Sequence, residues 1–461
     1  MKLSTFNLFL LILYALVCVG IGLWSSRGKR DDDYLIAGRK IRLFGFVSSV
    51  VASYIGGAAL VAYSAYVYKF GISAIAVFLG TSLGFLFFIP YALKLRKIST
   101  EKQFLTLSDW FYFKFNKKTG VVSALILLVV YFGMLLNQFI AGSSILASIS
   151  GWNYETALII SSSIIVVYLF FGGFKSVIKT DAFQYIIMFV LFVLLAYVLI
   201  KDDKGITPSL IDFSEMNISM TIAFIAFGIL IIFQSAEYWQ RVYAARDEKV
   251  VKRGFIGSAV LVLITGLAIT VVGLSAHYHA PGILPRNAFA EGLKVMVSGK
   301  FLGIALVLLF AAIMSSADTI IFVLASSLAK DYIAHFSKKE VTPHNLKIQT
   351  KIFVVLFSLI GFLLAFYFRN IIQVILFITG VGFTIIPAAI ISFHIKITNQ
   401  AALASFLSGV GYVAILMLSD QLVPELSIAS IVVATVFLII FQLIYRKKTP
   451  VEPLNEMNTD S

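Results

Sequence analysis

The sequence predicts an all-α polytopic membrane protein, and three observations carry the prediction. Of the 461 residues 60% are hydrophobic and only 13% charged, with a mean hydropathy of +0.96, whereas an ordinary soluble domain has about 25% charged residues. Apolar runs long enough for a bilayer, roughly 20 residues each, recur along the chain. None alternates polar with apolar as barrel strands do, so the backbone must satisfy its hydrogen bonds as helix. The composition excludes a soluble globule, a disordered chain, a coiled coil and a nucleic-acid-binding domain. The single cysteine, Cys18, cannot form an internal disulfide.

The first run, Phe6–Trp24, follows Lys2 and has no small-residue cleavage site after it, so it is expected to be a retained helix. Further runs lie at about 43–69, 70–93, 120–149, 154–172, 176–200, 218–240, 254–280, 301–329, 352–368, 370–393, 399–418 and 426–445, which makes about thirteen spans. Assigning alternate connectors to opposite sides leaves Lys2, Lys69, Lys201, Lys204, Arg286, Lys294, Lys300 and Arg369 on one side and the other 29 lysines and arginines on the opposite one. Basic residues mark the cytoplasmic side, so the N-terminus is expected outside and the C-terminus in the cytoplasm of a cell (inner) membrane. The net charge of +14 is then a record of topology and calls for no nucleic acid. The longest connectors, roughly 20–25 residues, leave no room for a kinase or nucleotide-binding domain, and residues 446–461 read as a disordered cytoplasmic tail.

Polar groups inside a membrane are costly and are read as functional. Three places qualify. Val51-Ala52-Ser53-Tyr54-Ile55-Gly56-Gly57-Ala58 lies mid-way along the second span, where paired glycines weaken a helix by about 1 kcal/mol each. Unwinding there frees carbonyls for a cation; a close helix contact through small residues is the alternative. In the ninth span Ala312, Ser315, Ser316 and Thr319 share one helical face, and Asp318 flanks it about 60° from Ser315. Hydroxyl and carboxylate oxygens in such a stripe suit a hard cation. Gly172-Gly173 leads into Lys175, Lys179, Thr180 and Asp181 at the start of the sixth span, where Asp181 is either functional or a helix-N-terminal acid paired with Lys179.

Together, Ala52-Ser53-Tyr54-Ile55-Gly56-Gly57, Gly172-Gly173 with Thr180-Asp181-Ala182-Phe183-Gln184, Gln240-Arg241-Val242-Tyr243-Ala244-Ala245-Arg246-Asp247, and Met314-Ser315-Ser316-Ala317-Asp318-Thr319 with Ser326-Ser327 and Lys330-Asp331-Tyr332 resemble the sodium/solute symporter family. The resemblance runs from about residue 30 to 395. It implies a LeuT-type five-plus-five inverted repeat with one extra N-terminal and two extra C-terminal helices. The corresponding segments are 1–42 for the extra helix and a basic loop, 43–200 for the first repeat, 201–217 for an extracytoplasmic loop, 218–395 for the second repeat and 396–445 for the last two helices. Five helices per repeat is odd, so the repeats must start on opposite sides, as the charge sorting independently has them.

The resemblance further implies sodium-coupled import of a small organic solute by alternating access, with sodium held by the carbonyls of Ala52, Ile55 and Ala312 and the hydroxyls of Ser315 and Ser316. A second cation site falls on Asp181, Asp318 and Thr319, where a second sodium, a shared proton or a salt bridge to Lys179 all stay open. Tyr54, Gly56, Gly57, Asn137, Gln138, Gly228 and Gln373 are the expected solute lining. The positions matching the family's sugar-contacting residues are Tyr54, Ala59, Phe78, Gly228 and Ile231, poor in the amides and carboxylates of a sugar site, and no arginine occurs in Gly120–Ile149 to clamp sialic acid, so the resemblance favours an amino acid or monocarboxylate. The partners expected are the solute and the lipid bilayer, with one chain as the transport unit; the alternative is a sensor signalling through a separate protein. No nucleophile–base pair or His/Asp/Glu cluster within the spans suggests an enzyme. His277 and His279 are read as interfacial, and Glu237 and Arg241, spaced i, i+4, as a structural pair.

Overall fold

A computed structural model describes residues 5–27, 30–201, 216–297, 302–337, 341–367 and 371–446. The loop expected at 201–217 and the tail expected at 446–461 lie, but for their edge residues, outside the described residues. In chain order the helices are α1 Thr5–Ser26, α2 Asp31–Ile36, α3 Leu43–Tyr54, α4 Gly57–Phe70, α5 Ala76–Glu101, α6 Ser108–Lys114, α7 Lys117–Ser150, α8 Tyr154–Lys201 and α9 Ile218–Gln234. There follow α10 Ala236–Ala244, α11 Glu248–His279, α12 Ala288–Met296, α13 Leu302–Ser327, α14 Pro343–Tyr367, α15 Ile371–Phe383, α16 Ile386–Ile391, α17 Asn399–Leu418 and α18 Pro424–Arg446. Among the described residues the only β pairing is one isolated bridge, Ile41 to Ala245.

Length and apolarity give ten spans among the described residues, or eleven with the bent pair α9 and α10, against the thirteen expected. Two of the ten, Ala59–Glu101 and Tyr154–Leu195, are 43 and 42 residues long, about twice what a bilayer takes. Each breaks inside. The first passes through Gly71 at φ +54°. The second turns at Gly173, φ +58° and ψ −153°, a conformation open to glycine alone, with a Tyr34 ring pressed where a side chain would begin.

Helix starts are set by side chains that satisfy the first free N–H groups. Asn116 accepts from the Thr119 amide, Asn217 from Met220, Asp247 from Val250 and Thr398 from Ala401. The window of α13 is 94% buried, against 28% for α1 and α14 and 22% for α18. The helix carrying the hydroxyl stripe is therefore the centre of the bundle, and α1, α14 and α18 present most of their surface to lipid. Packing against α3, α7 and α8 surrounds α13, while α5 and α9 meet through Gly80, Gly84 and Gly228, small residues that let two backbones touch.

The second span is not one helix: α3 and α4 are separated at Ile55 and Gly56. The seventh is also interrupted, by Ser235, where α9 and α10 meet at 50°. These two interruptions fall in the first span of each of the two five-helix repeats expected from the sequence.

Candidate functional site

The break at Ile55 and Gly56 faces α13. A side chain on Gly56 would begin 2.5 Å from the Gln138 Nε2 and 2.7 Å from the Ser316 Cβ, and one on Gly57 2.8 Å from the Ile313 Cγ1. Glycine is thus what brings the broken backbone onto α13. Ser315 donates its hydroxyl proton to the Ala52 carbonyl at 2.9 Å and to its own helix at Ala312, 3.1 Å. Ser316 donates to the Ser53 carbonyl at 3.0 Å. Ala52, Ala312, Ser315 and Ser316 therefore stand together, and Ile55 lies in the break beside them; all five are buried. Each hydroxyl keeps lone pairs after donating, so the cluster offers the neutral oxygens a hard cation takes.

About one helical turn along α13 the chemistry is ionic. Asp181 accepts from the Ser49 hydroxyl at 2.5 Å and pairs with the Arg241 Nη2 at 3.1 Å, both side chains being fully buried. The same nitrogen donates to the Thr319 Oγ1 at 3.0 Å and the Ser53 Oγ at 2.5 Å, Nε donates to Ser49 at 2.8 Å, and Nη1 to the Glu237 carbonyl at 3.1 Å. The cation between Asp181 and Thr319 is thus a guanidinium. Asp318 turns elsewhere, accepting from the Tyr168 hydroxyl at 2.7 Å and the Thr180 hydroxyl at 3.4 Å. Two expected pairings do not form. The Lys179 ammonium lies 3.5 Å from the centroid of the Trp24 ring, which draws it away from both aspartates. The Glu237 carboxylate accepts from the Tyr131 hydroxyl, while Arg241 reaches across to α3 and α8 and meets Glu237 only at its carbonyl.

Beside the break lies a cavity of about 210 Å³ whose wall includes Ser53, Tyr54, Asn137, Gln138, Glu237, Ser316 and Thr319. Of the expected solute lining, Tyr54, Asn137 and Gln138 are on this wall. Gly56 and Gly57 back it by packing on Gln138. Gly228 does not line it: a side chain there would start 2.5 Å from the Thr81 amide nitrogen, so this glycine serves the α5–α9 contact. Gln373 is exposed and off the wall, where Ile375, Leu376 and Thr379 appear in its stead. The Tyr54 hydroxyl is spent on Tyr63 at 2.7 Å and Thr81 at 2.6 Å, which leaves its ring as wall.

Sequence reasoning missed Ser49, Tyr168 and the cavity placement of Glu237. For the last a signal existed: Gln234-Ser235-Ala236-Glu237 is a polar interruption inside an apolar run, the mark of a broken helix.

A model of the sodium:solute symporter family matches residues 34–409. The chain belongs to that family. It is 24% identical over 436 residues to a sodium/proline symporter of Salmonella typhimurium (strain LT2), covering 87% of this chain and 85% of the relative. It is 25% identical over 428 residues to an osmoregulated proline transporter of Bacillus subtilis (strain 168), covering 87% of each. Among solved structures, a sodium-coupled sialic acid symporter in a substrate-bound outward-open state superposes with a TM-score of 0.80 at 16% identity, over 97% of this chain and 98% of that one. A nucleobase-cation-symport-1 family transporter in a closed conformation gives 0.59 at 13% identity, over 91% and 96%. At these identities the likeness is one of fold: the bundle is a LeuT-type transporter. Sodium is the coupling ion of that family.

Proposed function

We propose that this protein carries a small organic solute across the cell membrane with sodium by alternating access, and that Ser315 and Ser316, with the carbonyls of Ala52, Ile55 and Ala312, hold the sodium. The single observation behind it is that the hydroxyls of α13 meet the carbonyls of the broken second span, at 2.9 Å for Ser315 on Ala52 and 3.0 Å for Ser316 on Ser53. The chain crosses thirteen times, with its N-terminus outside and its C-terminus in the cytoplasm, and one chain forms the transport unit. A small solute such as an amino acid is favoured by the cavity of about 210 Å³ and by the proline transporters among the relatives. Arg241 bridges Asp181 and Thr319, so this reading has one sodium per cycle and uses the guanidinium as the second cation.

The test is sodium binding by the purified protein, read as thermal stabilisation while sodium replaces potassium at constant ionic strength. A hydroxyl lost from a charged ligand's shell costs about 1.5–3 kcal/mol, so Ser315→Ala and Ser316→Ala should each raise the half-maximal sodium concentration roughly 10- to 150-fold. Ser326→Ala, whose hydroxyl meets Gln240 and Val323, should change it little. The wild-type sodium curve should have a Hill coefficient near one. Normal sodium dependence in both alanine variants would remove the site assignment.

A further inference from the structure

The cavity wall carries one formally charged side chain among the described residues, Glu237. Its carboxylate is nine-tenths buried and accepts from the Tyr131 hydroxyl. No lysine, arginine or histidine nitrogen of the described residues lies within salt-bridge distance of it. The nearest base, Arg241, spends its guanidinium on Asp181, Ser49, Ser53 and Thr319 and touches Glu237 only at the backbone. A buried carboxylate without a counter-charge is expensive, and a cation brought into the cavity would offset that cost.

Three features say what would carry that cation. Glu237 sits in the first turn of α10, just after the break at Ser235, where the amide ends of the helix favour a negative charge. Tyr131 donates to it, which fixes the carboxyl group at the cavity wall. On the same wall the Asn137 Oδ1 is buried with no hydrogen-bond partner, a second acceptor in want of a donor. Two acceptors, one of them charged, in a cavity of about 210 Å³ that is otherwise neutral match a compact solute that brings N–H groups and a positive charge. They oppose a simple monocarboxylate, whose negative charge would enter a cavity that already holds one.

The geometry points to Glu237 as the counter-charge for a cationic nitrogen on the transported solute, which makes that solute an amino acid or another amine-bearing molecule and not a monocarboxylate. This rests on the symport reading above and narrows it. Ser316 and Thr319 share the wall with Glu237, so the nitrogen would be taken up by the broken seventh span while sodium is held against the broken second one.

The test uses the full-length purified protein in sodium chloride, and again in potassium chloride. Thermal stabilisation is scored with the standard amino acids, with the 2-hydroxy acids that replace each amine by a hydroxyl, with tetrahydrofuran-2-carboxylate as the nitrogen-free match of proline, and with hexoses. Members bearing a cationic nitrogen should bind and their matched analogues should not. Glu237→Gln should weaken the best nitrogen-bearing probe about 10- to 150-fold and narrow its preference over the matched analogue, while sodium alone still stabilises the variant as it does the wild type. That last readout shows the variant is folded. Glu237→Asp keeps the charge and should keep the preference. The assignment is overturned if only hydroxy acids or hexoses bind, if no nitrogen-bearing probe binds, or if Glu237→Gln binds the nitrogen-bearing probe as the wild type does. If nitrogen-bearing probes bind through Glu237 equally in potassium, it is the sodium coupling that fails and the carboxylate assignment that stands.

Discussion

Arg241 and Asp181 form a fully buried ion pair, and their other bonds make the two halves unequal. Remove the guanidinium with Arg241→Gln, and the Asp181 carboxylate keeps only the Ser49 hydroxyl as a partner among the described residues. Remove the charge on the other side with Asp181→Asn, and Arg241 still has Ser49, Ser53, Thr319 and the Glu237 carbonyl. Breaking a buried pair costs about 3–5 kcal/mol because a charge is left without compensation. The arginine substitution should take that full cost and the aspartate substitution clearly less. The double variant, with neither charge, should be more stable than Arg241→Gln alone. The assay is the apparent melting temperature of the four purified proteins, heated at one common rate because unfolding of such a protein is irreversible. Equal losses from the two single changes would refute the asymmetry, and a double variant whose loss is the sum of the singles would mean that the charges do not interact.

Two further outcomes follow from packing and from charge. Gly228→Ala should destabilise by about 1–3 kcal/mol by overpacking α5 against α9, whereas Gly411→Ala, with nothing within 4 Å of the added carbon, should be neutral or stabilise by up to about 1 kcal/mol; thermal denaturation of the two variants checks this, and equal behaviour would show that the α5–α9 contact is not tight. In an otherwise cysteine-free chain, an impermeant thiol reagent should label Lys97→Cys only from the cytoplasm and Gly282→Cys only from outside, and the reverse pattern would invert the topology.

The all-helical spanning character was legible, though the count of thirteen was not matched among the described residues, because apolar runs of bilayer length have no other stable arrangement in hydrocarbon. The break in the second span was legible too, since Gly56-Gly57 is a chemical signal that α-helix tolerates poorly. The break at Ser235 is marked more faintly: Ile231-Ile232-Phe233 runs into it with no glycine or proline, and only the polar stretch Gln234-Ser235-Ala236-Glu237 interrupts the apolar run. The partner of Arg241 was hidden. Spacing rules see neighbours on one helix, here Glu237 four residues away, while the residue it meets, Asp181, is 60 positions distant. Gly228 misled in the opposite sense: a glycine near a cavity reads as room for a ligand, and here it is room for another backbone.

What joins the two broken spans is Ser53. Its carbonyl receives the Ser316 hydroxyl, and its own hydroxyl is bonded by Arg241 and lies 3.2 Å from that of Thr319. Arg241 in turn is held on the same short helix that carries Glu237. A single residue in the last turn of α3, just before the break, is therefore tied both to the proposed sodium ligand on α13 and to the short helix that carries Glu237. If sodium straightens or tightens the geometry at Ser316, Ser53 moves with it, and α10 cannot keep its place without breaking a partly buried, charge-assisted hydrogen bond at 2.5 Å. Coupling of this kind is reciprocal: whatever factor sodium gives to solute affinity, the solute must give to sodium. Ser53→Ala tests the link itself. It removes the bond from Arg241 but leaves the carbonyl for Ser316, so each ligand alone should still bind while the factor by which one enhances the other falls; a factor unchanged in that variant would place the coupling elsewhere in the bundle.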